Sequence, residues 1–296
     1  MGTTPHPLIR KLCDLGPTIT DGAWGTQLQA RGLAPGEVPD LWNLTHPKEV
    51  AEVARAYVEA GSQIILTNTF GANRIRLSES DCADRVLDIN KSGVALSREA
   101  AGTDALVFAS IGPSGKLLMN GDVSEDELLA AFTEQAEALA SGGPDGLVLE
   151  TMQDLAEAKL AIAAARTTGL PVVASMVFDS GKDKDRTMMG TTPEQAAAGL
   201  IAAGADVIGA NCGQGIAGFV TICTRLKAAA EGHPVWIKAN AGLPQMQDGK
   251  PVYAMTAAQF TGYVPAVLAA GASFIGGCCG TSPEFIRAIH RLLRST

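Results

Sequence analysis

The chain repeats one phrase eight times: a short β-branched apolar run that ends in small or polar residues, followed by an Ala- and Glu-rich amphipathic stretch. The apolar runs are PTIT (17–20), QIILTNT (63–69), ALVFASIG (105–112), GLVLE (146–150), PVVASMVF (171–178), DVIGANC (206–212), VWIKANA (235–241) and SFIGGC (273–278). Helical spacing follows near 48–60, 82–101, 124–141, 154–168, 193–203, 216–231, 256–270 and 283–294. Strict alternation of strand and helix predicts a parallel sheet, because each helix carries the chain back to start the next strand in the same direction. Eight such units in 296 residues predict a closed (β/α)8 TIM barrel. The rival, a doubly wound open sheet, would ordinarily need fewer units or a second domain. Helix starts support the parsing. Thr192-Pro193-Glu194-Gln195 offers an N-cap, a proline in the first helical position and a Gln three residues on, and Ser282-Pro283-Glu284 opens the last helix. No linker or low-complexity segment interrupts the pattern, so a single domain over 1–296 is expected, with 1–16 as an N-terminal extension.

Composition narrows the class. With 46% hydrophobic and 18% charged residues the chain can bury a sizeable core. A net charge of −8 and a pI near 5.1 argue against nucleic acid or an anionic membrane surface as partner. No apolar run is long enough to span a bilayer. The opening MGTTPHPLIRKLCDLG lacks a signal-peptide core, and His6 stands where a myristoylation pattern requires Ser or Thr. Six cysteines, Cys13, Cys82, Cys212, Cys223, Cys278 and Cys279, are too few and too unevenly spread for a disulfide scaffold. A cytoplasmic protein is expected, in which such cysteines are metal ligands, catalytic groups or core residues.

Barrel enzymes work at the C-terminal ends of their strands. Here those ends read Asp21-Gly22, Thr67-Asn68-Thr69, Gly112-Pro113, Glu150-Thr151, Asp179, Asn211-Cys212-Gly213, Asn240-Ala241-Gly242 and Cys278-Cys279-Gly280. Three cysteines thus fall on one rim, Cys212 ending the sixth strand and the adjacent pair ending the eighth. Alternate strands of a barrel place inward residues in one layer, so three thiolates can meet at one ion, and thiolates favour zinc in a tetrahedral site. Asn240, on the strand between, offers a weak, displaceable fourth oxygen ligand. Two bland readings stand beside this one. GGCCG is also the kind of loop that grips phosphate in barrels, and buried cysteines are common small hydrophobes. Cys13, Cys82 and Cys223 fall on helices or the N-terminal tail, where packing accounts for them. Asp21-Gly22 is a common turn and Glu150 a plausible helix cap, yet both carboxylates face the same mouth as the cysteines and suit a ligand carrying an ammonium group.

Seven ordered stretches, DGAWGTQLQARG, TNTFGANR, IGPSG, LETMQDLAEAK, GANCG, NAGLP and GGCCGTSPEFIRAI, resemble the homocysteine S-methyltransferase family from about residue 17 to 293. That family includes betaine–homocysteine methyltransferases and the homocysteine-binding module of cobalamin-dependent methionine synthase. The resemblance implies a zinc-dependent barrel that methylates L-homocysteine to methionine, with Cys212, Cys278 and Cys279 as zinc ligands and Asn240 in the fourth position until substrate arrives. It implies that Asp21, Gly22 and Glu150 hold the amino group and backbone of homocysteine, and Asn68 and Asn211 are expected as further substrate contacts. A thiol of pKa about 8.5 is a poor nucleophile at neutral pH, and coordination removes its proton.

The methyl donor is less constrained. TNTFGANR is closer to the methionine-synthase module than to the animal betaine enzyme, which has an aromatic residue at the place of Gly71, and it departs from the S-methylmethionine-using branch. Because the barrel accounts for the 296 residues, no cobalamin or folate domain is expected beside it. A separately encoded methylated corrinoid protein and a small onium donor such as glycine betaine are joint expectations, with S-methylmethionine behind. An onium would want an aromatic cage, for which Trp24, Trp42 and Phe70 are the candidates. SGKDKDRTMMGTT (180–192) reads equally as a lid or as a solvated loop. Two rival functions remain. A phosphate-gripping aldolase or isomerase would want a strand-end lysine, for which only Lys238 is available. A non-catalytic zinc or thiol-binding module would want a closing Cys or His, yet His6, His46, His233 and His290 all fall away from the rim. A homo-oligomer is compatible with the sequence but not encoded in these motifs.

Overall fold

Every second residue of a strand faces the same side, and in this chain that alternation separates an apolar floor from a polar mouth. The structure, a computed structural model, describes residues 4–247 and 250–295. Its strands are β1 (Thr18–Ile19), β2 (Ile64–Ile65), β3 (Leu106–Ile111), β4 (Gly146–Met152), β5 (Val172–Met176), β6 (Val207–Gly215), β7 (Val235–Asn240), β8 (Gln245–Gln247), β9 (Lys250–Val252) and β10 (Ala272–Gly277). Eight of them pair in parallel in the order β1-β10-β7-β6-β5-β4-β3-β2. A parallel bridge between Thr20 and Ile64 joins the two ends of that order, so the predicted ring of eight is formed. The other two strands form an antiparallel hairpin in the connection from β7 to β10.

Ile64, Leu66, Phe108, Val148, Val173, Val207, Trp236 and Phe274 form one buried cluster inside the ring, with Trp236 lying between Phe108 and Phe274. Two residues further along, the same faces carry buried polar groups: Ser110, Glu150, Ser175 and Lys238. On β6 and β10 the equivalent positions are Gly209 and Gly276, and the polar residue comes two later, at Asn211 and Cys278. A Cβ on Gly276 would lie 2.0 Å from Thr20 Oγ1, so that position is closed to larger residues. The opposite faces, among them Ile65, Val107, Leu147, Ile208 and Ile237, pack with Val53, Tyr57, Phe132, Leu200 and Phe260 in the larger outer core.

The structure departs from the sequence expectation in several further places. The N-terminal extension contains a helix, Pro7–Asp14, whose Ile9 and Leu12 pack into the inner cluster and close the barrel floor. His6 caps it by accepting from Leu8 N at 3.2 Å, and its own N–H is held by Asp206 Oδ1 at 2.7 Å. Short helices Trp24–Gln29 and Trp42–Thr45 precede the first long one, Pro47–Glu59. The helix expected over 256–270 is two pieces, Ala257–Thr261 and Val264–Ala269. Pro265 explains the break, since it has no N–H to donate and its ring clashes with the preceding turn. The stretch expected to be helical from 82 starts as a 3-10 turn, Ala83–Arg85, before the α-helix Val86–Ala101. The capping box at Thr192 and Gln195 is present in both directions. Among the described residues, no helix is long and apolar enough to cross a membrane.

If the N-terminal helix is part of the core, Ile9→Ala should cost roughly 2–5 kcal/mol, the usual range for emptying a buried aliphatic site. Urea unfolding followed by tryptophan fluorescence measures it, and an unchanged midpoint would show that the floor is closed without it.

Candidate metal and substrate centre

β7 lies between β6 and β10, and this adjacency brings residues 212 and 279 together. The sulfurs of Cys212, Cys278 and Cys279 all lie within 4.8 Å of one another, with Cys212 and Cys279 at 3.9 Å. A tetrahedral ion with metal–sulfur bonds of about 2.3 Å would set its sulfurs about 3.8 Å apart, so the cluster is spaced for one ion. β6 leaves the ladder between Asn211 and Gly215, and Cys212 sits there with a left-handed φ of 61°. Such a conformation is costly for a residue with a Cβ and is found where the surroundings impose it.

The adjacent cysteines reach one point because the chain turns directly after them. Thr281 N and Oγ1 both donate to the carbonyl of Cys278, at 3.1 and 2.7 Å. Gly280 carries the turn at φ 79°, and a Cβ there would fall 2.1 Å from the ring of Tyr253. The Tyr253 side chain acts on the Cys279 thiol and lowers its pKa. Asn211 Nδ2 lies 3.9 Å from the sulfur of Cys278. Asn240 donates through Nδ2 to the carbonyl of Gly213 at 3.3 Å, while its Oδ1 is buried with no hydrogen-bond partner. An orphaned buried acceptor is rare, and at the end of the strand between the two that carry the cysteines it is compatible with the expected fourth ligand.

The thiols resist ionisation as they stand. The hydrogen bond with Cys278 pulls the Cys212 thiol down, but that with Cys279 and burial outweigh it and push it up to about 11. For Cys279 the bond with Cys212 lowers and the bond with Cys278, its charge and burial raise, with the thiol pushed up to about 12. Cys278 is raised too, by its hydrogen bond with Cys212, then burial and the neighbouring charges. Three thiolates cannot share this space without a cation, and a divalent ion is the group that the donor set fits.

The two predicted carboxylates take different positions. Asp21 is fully buried behind the cavity wall, and its oxygens are spent on Leu66 N and Trp24 Nε1, each at 2.7 Å, and on the ammonium of Lys238. Glu150 lines the cavity, accepts from Ser110 Oγ at 2.5 Å, and keeps its second oxygen free of hydrogen bonds. Burial raises its pKa, against the lowering effects of Lys238 and Ser110. Gly22 also lines the cavity, at a point where a Cβ would fall 2.8 Å from Tyr57 Oη.

Asn68 lines the same wall, but its amide donates to Pro39 O at 2.7 Å and Asn43 Oδ1 at 3.1 Å, tying two loops together. Asn211 lies behind the wall. Its Oδ1 accepts from Thr151 N and Ser175 Oγ, and its Nδ2 donates to Thr151 Oγ1, joining β4, β5 and β6. Thr151 is itself left-handed at φ 65°. Of the three aromatic candidates, Trp24 and Phe70 line the cavity, whereas Trp42 is buried and stacked on His46 with centroids 4.2 Å apart. None of the four histidines lines it: His6 caps the first helix, His46 stacks on Trp42, and His290 packs against Gly61. His233 is buried, its Nδ1 3.1 Å from Ala230 O. The 180–192 loop is tied down, with Arg225 bridging Asp185 and Glu194 across its end.

Sequence reasoning missed Lys238 as a barrel-interior cation, and it missed Tyr253 and Asp40. A lysine inside the apolar run VWIKAN was the available signal, because a buried ammonium requires carboxylate partners. Asp40 lines a cavity of about 290 Å³ together with Phe70 and Arg76. Burial pushes its pKa up to about 6, against the Gly71 N–H that it accepts at 2.9 Å. Because the unfolded carboxyl ionises near 3.8, the unfolded chain releases this proton first and stability falls as pH rises from there through about 6. Relative to Asp40→Asn, which cannot ionise, the wild type should lose about 1–3 kcal/mol between about pH 4 and about pH 6.5. Denaturant titrations across that window test it, and parallel curves for the two proteins would refute it.

A sequence profile of the homocysteine S-methyltransferase family matches residues 18–293. The chain is 32% identical to a methionine synthase of Mycobacterium tuberculosis over 92% of its own length but only 24% of that protein's, so it spans about a quarter of that relative. It is 29% identical to betaine–homocysteine S-methyltransferase 1 of Danio rerio, covering 92% of this chain and 71% of that one. The metallated crystal form of the Escherichia coli homocysteine methyltransferase MmuM superposes with a TM-score of 0.78 at 26% identity, over 97% of this chain and all of the other.

Proposed function

The chain belongs to the homocysteine S-methyltransferase family, and from that membership we propose that it methylates the sulfur of L-homocysteine, giving methionine, at a zinc ion held by Cys212, Cys278 and Cys279. The observation that carries the reading is the meeting of those three sulfurs within 4.8 Å of one another, on the wall of a cavity the size of a small ligand. Three thiolates and an amide oxygen suit zinc better than harder ions, and when bound the metal supplies deprotonation of the incoming thiol.

The chain's own residues do the rest. Glu150, aimed by Ser110, accepts the ammonium of homocysteine with its free oxygen. Asp21 acts from behind the wall, fixing Trp24 and Lys238. The hydrogen bond from Asn211 to Cys278, and the influence of Tyr253 on Cys279, draw charge from the thiolates. The Asn240 amide oxygen would serve as the fourth, displaceable donor to the metal. With the amino acid so held, its sulfur attacks the methyl carbon in line: a new S–C bond forms as the old methyl bond breaks, and its electron pair leaves with the donor.

Two donor classes have support. Trp24 and Phe70 on the cavity wall, beside the carboxyl of Asp40, favour a small onium such as glycine betaine. The likeness to a methionine synthase favours a methylated corrinoid protein docking over the rim. S-methylmethionine stands behind both. The barrel and its N-terminal extension act as one homocysteine-binding unit over 1–296, and the free cysteines are in keeping with a cytoplasmic setting.

Purified protein is expected to hold one zinc per chain, and Cys278→Ser should lower zinc content at least about tenfold. Methionine formation from homocysteine, assayed with betaine, S-methylmethionine and methylcobalamin in turn, identifies the donor. Full retention of zinc in the Cys278→Ser protein would end the proposal.

A further inference from the structure

Lys238 is an ammonium group 2% exposed at the centre of a barrel, which is an expensive place for a charge. It projects from β7 into the polar layer above Trp236 and lines the substrate cavity. Three other charged or ionisable groups face it from other strands of the ring: Asp21 from the end of β1, in direct ionic contact; Glu150 from β4, acting through space; and Cys278 from the end of β10. Burial opposes the charge, but the direct ion pair with Asp21, and then the attraction of Glu150, outweigh that and raise its pKa.

A charge count gives the arrangement its meaning. Two buried carboxylates and one ammonium leave a single net negative charge. Asp21 is saturated by Lys238, Leu66 N and Trp24 Nε1, so that charge resides on Glu150, whose second oxygen is free at the cavity wall. A ligand bringing one ammonium neutralises the group. Without Lys238 the pair would carry two negative charges next to a cluster of three cysteine sulfurs, and two close carboxylates in low dielectric do not both stay ionised. The one that took up a proton would be Glu150, whose pKa burial already raises and whose second oxygen has no hydrogen-bond donor.

We propose that Lys238 is a positioning residue, the built-in counter-charge that keeps Glu150 ionised and free to select a thiol substrate by its amino group. This rests on the homocysteine reading of the site. It assigns to a side chain outside the three-cysteine centre the discrimination between an amino-acid thiol and the same thiol without its ammonium.

The test compares L-homocysteine with 4-mercaptobutyrate, which has the same thiol and carboxylate but no amino group, by calorimetry on the zinc-loaded full chain. The wild type should prefer homocysteine. Lys238→Met should shrink that preference at least about tenfold, equivalent to about 1.4 kcal/mol, while its affinity for 4-mercaptobutyrate shifts by less than about threefold. The double variant Lys238→Met/Asp21→Asn restores the single net negative charge and should recover most of the preference. A role in packing alone predicts no such rescue. An unchanged preference in Lys238→Met, or a zinc-loaded and folded double variant that does not regain it, overturns the proposal. Should the single variant fail to fold, the double variant decides alone. A wild type that binds neither thiol would sink the homocysteine reading itself, an outcome distinct from a selective wild type with an equally selective Lys238→Met.

Discussion

Three sulfurs drawn from two distant parts of the chain meet here because β6, β7 and β10 lie side by side in a parallel ring, and parallel strands end on the same rim. The spacing is set by backbone. The left-handed Cys212 swings out of β6 as that strand leaves its ladder, and the Cys278–Thr281 turn folds two consecutive cysteines toward one side. Neighbouring cysteines act on each thiol in both directions, and with burial the balance raises all three, so the cluster favours its protonated form unless a cation is present. A preassembled set of this kind spares the metal the work of ordering its ligands.

The barrel interior is layered by the same strand period. An apolar floor built on Phe108, Trp236 and Phe274, and closed below by the helix that carries Ile9, supports a polar storey of Ser110, Glu150, Ser175, Asn211 and Lys238. Polar groups at that depth are tolerable only when paired, and nearly every one is: Asn211 to Thr151 and Ser175, Lys238 to Asp21, Ser110 to Glu150. What is left unpaired points toward function. The free oxygen of Glu150 and the orphaned Oδ1 of Asn240 are acceptors without a hydrogen-bond partner near the strand ends, and the proposed chemistry requires one for an ammonium and one for a metal.

Much of this was legible beforehand, for reasons that can be named. The eight-fold alternation dictated the ring, and the strand ends gathered Cys212, Cys278, Cys279, Glu150 and Asn240 on one rim before any coordinate was known. What stayed hidden depended on direction and distance. Asp21 and Glu150 look alike as strand-end carboxylates, yet one is consumed by Lys238, Leu66 and Trp24 while the other faces the cavity. Trp42 and Trp24 are both near the mouth in sequence, but only Trp24 lines it. The N-terminal helix was invisible because eight residues, PLIRKLCD, form a stable helix only when something buries their apolar face.

Strand and helix identity, the parallel ring and the membership of the rim follow from local pattern, because side-chain period and chain reversal are properties of consecutive residues. Which carboxylate is free, how a lysine became the counter-charge of a binding wall, and whether two adjacent cysteines converge were decided only on folding. Those outcomes depend on angles and separations between residues more than two hundred positions apart, such as Asp21 and Lys238, and one-dimensional spacing does not carry them.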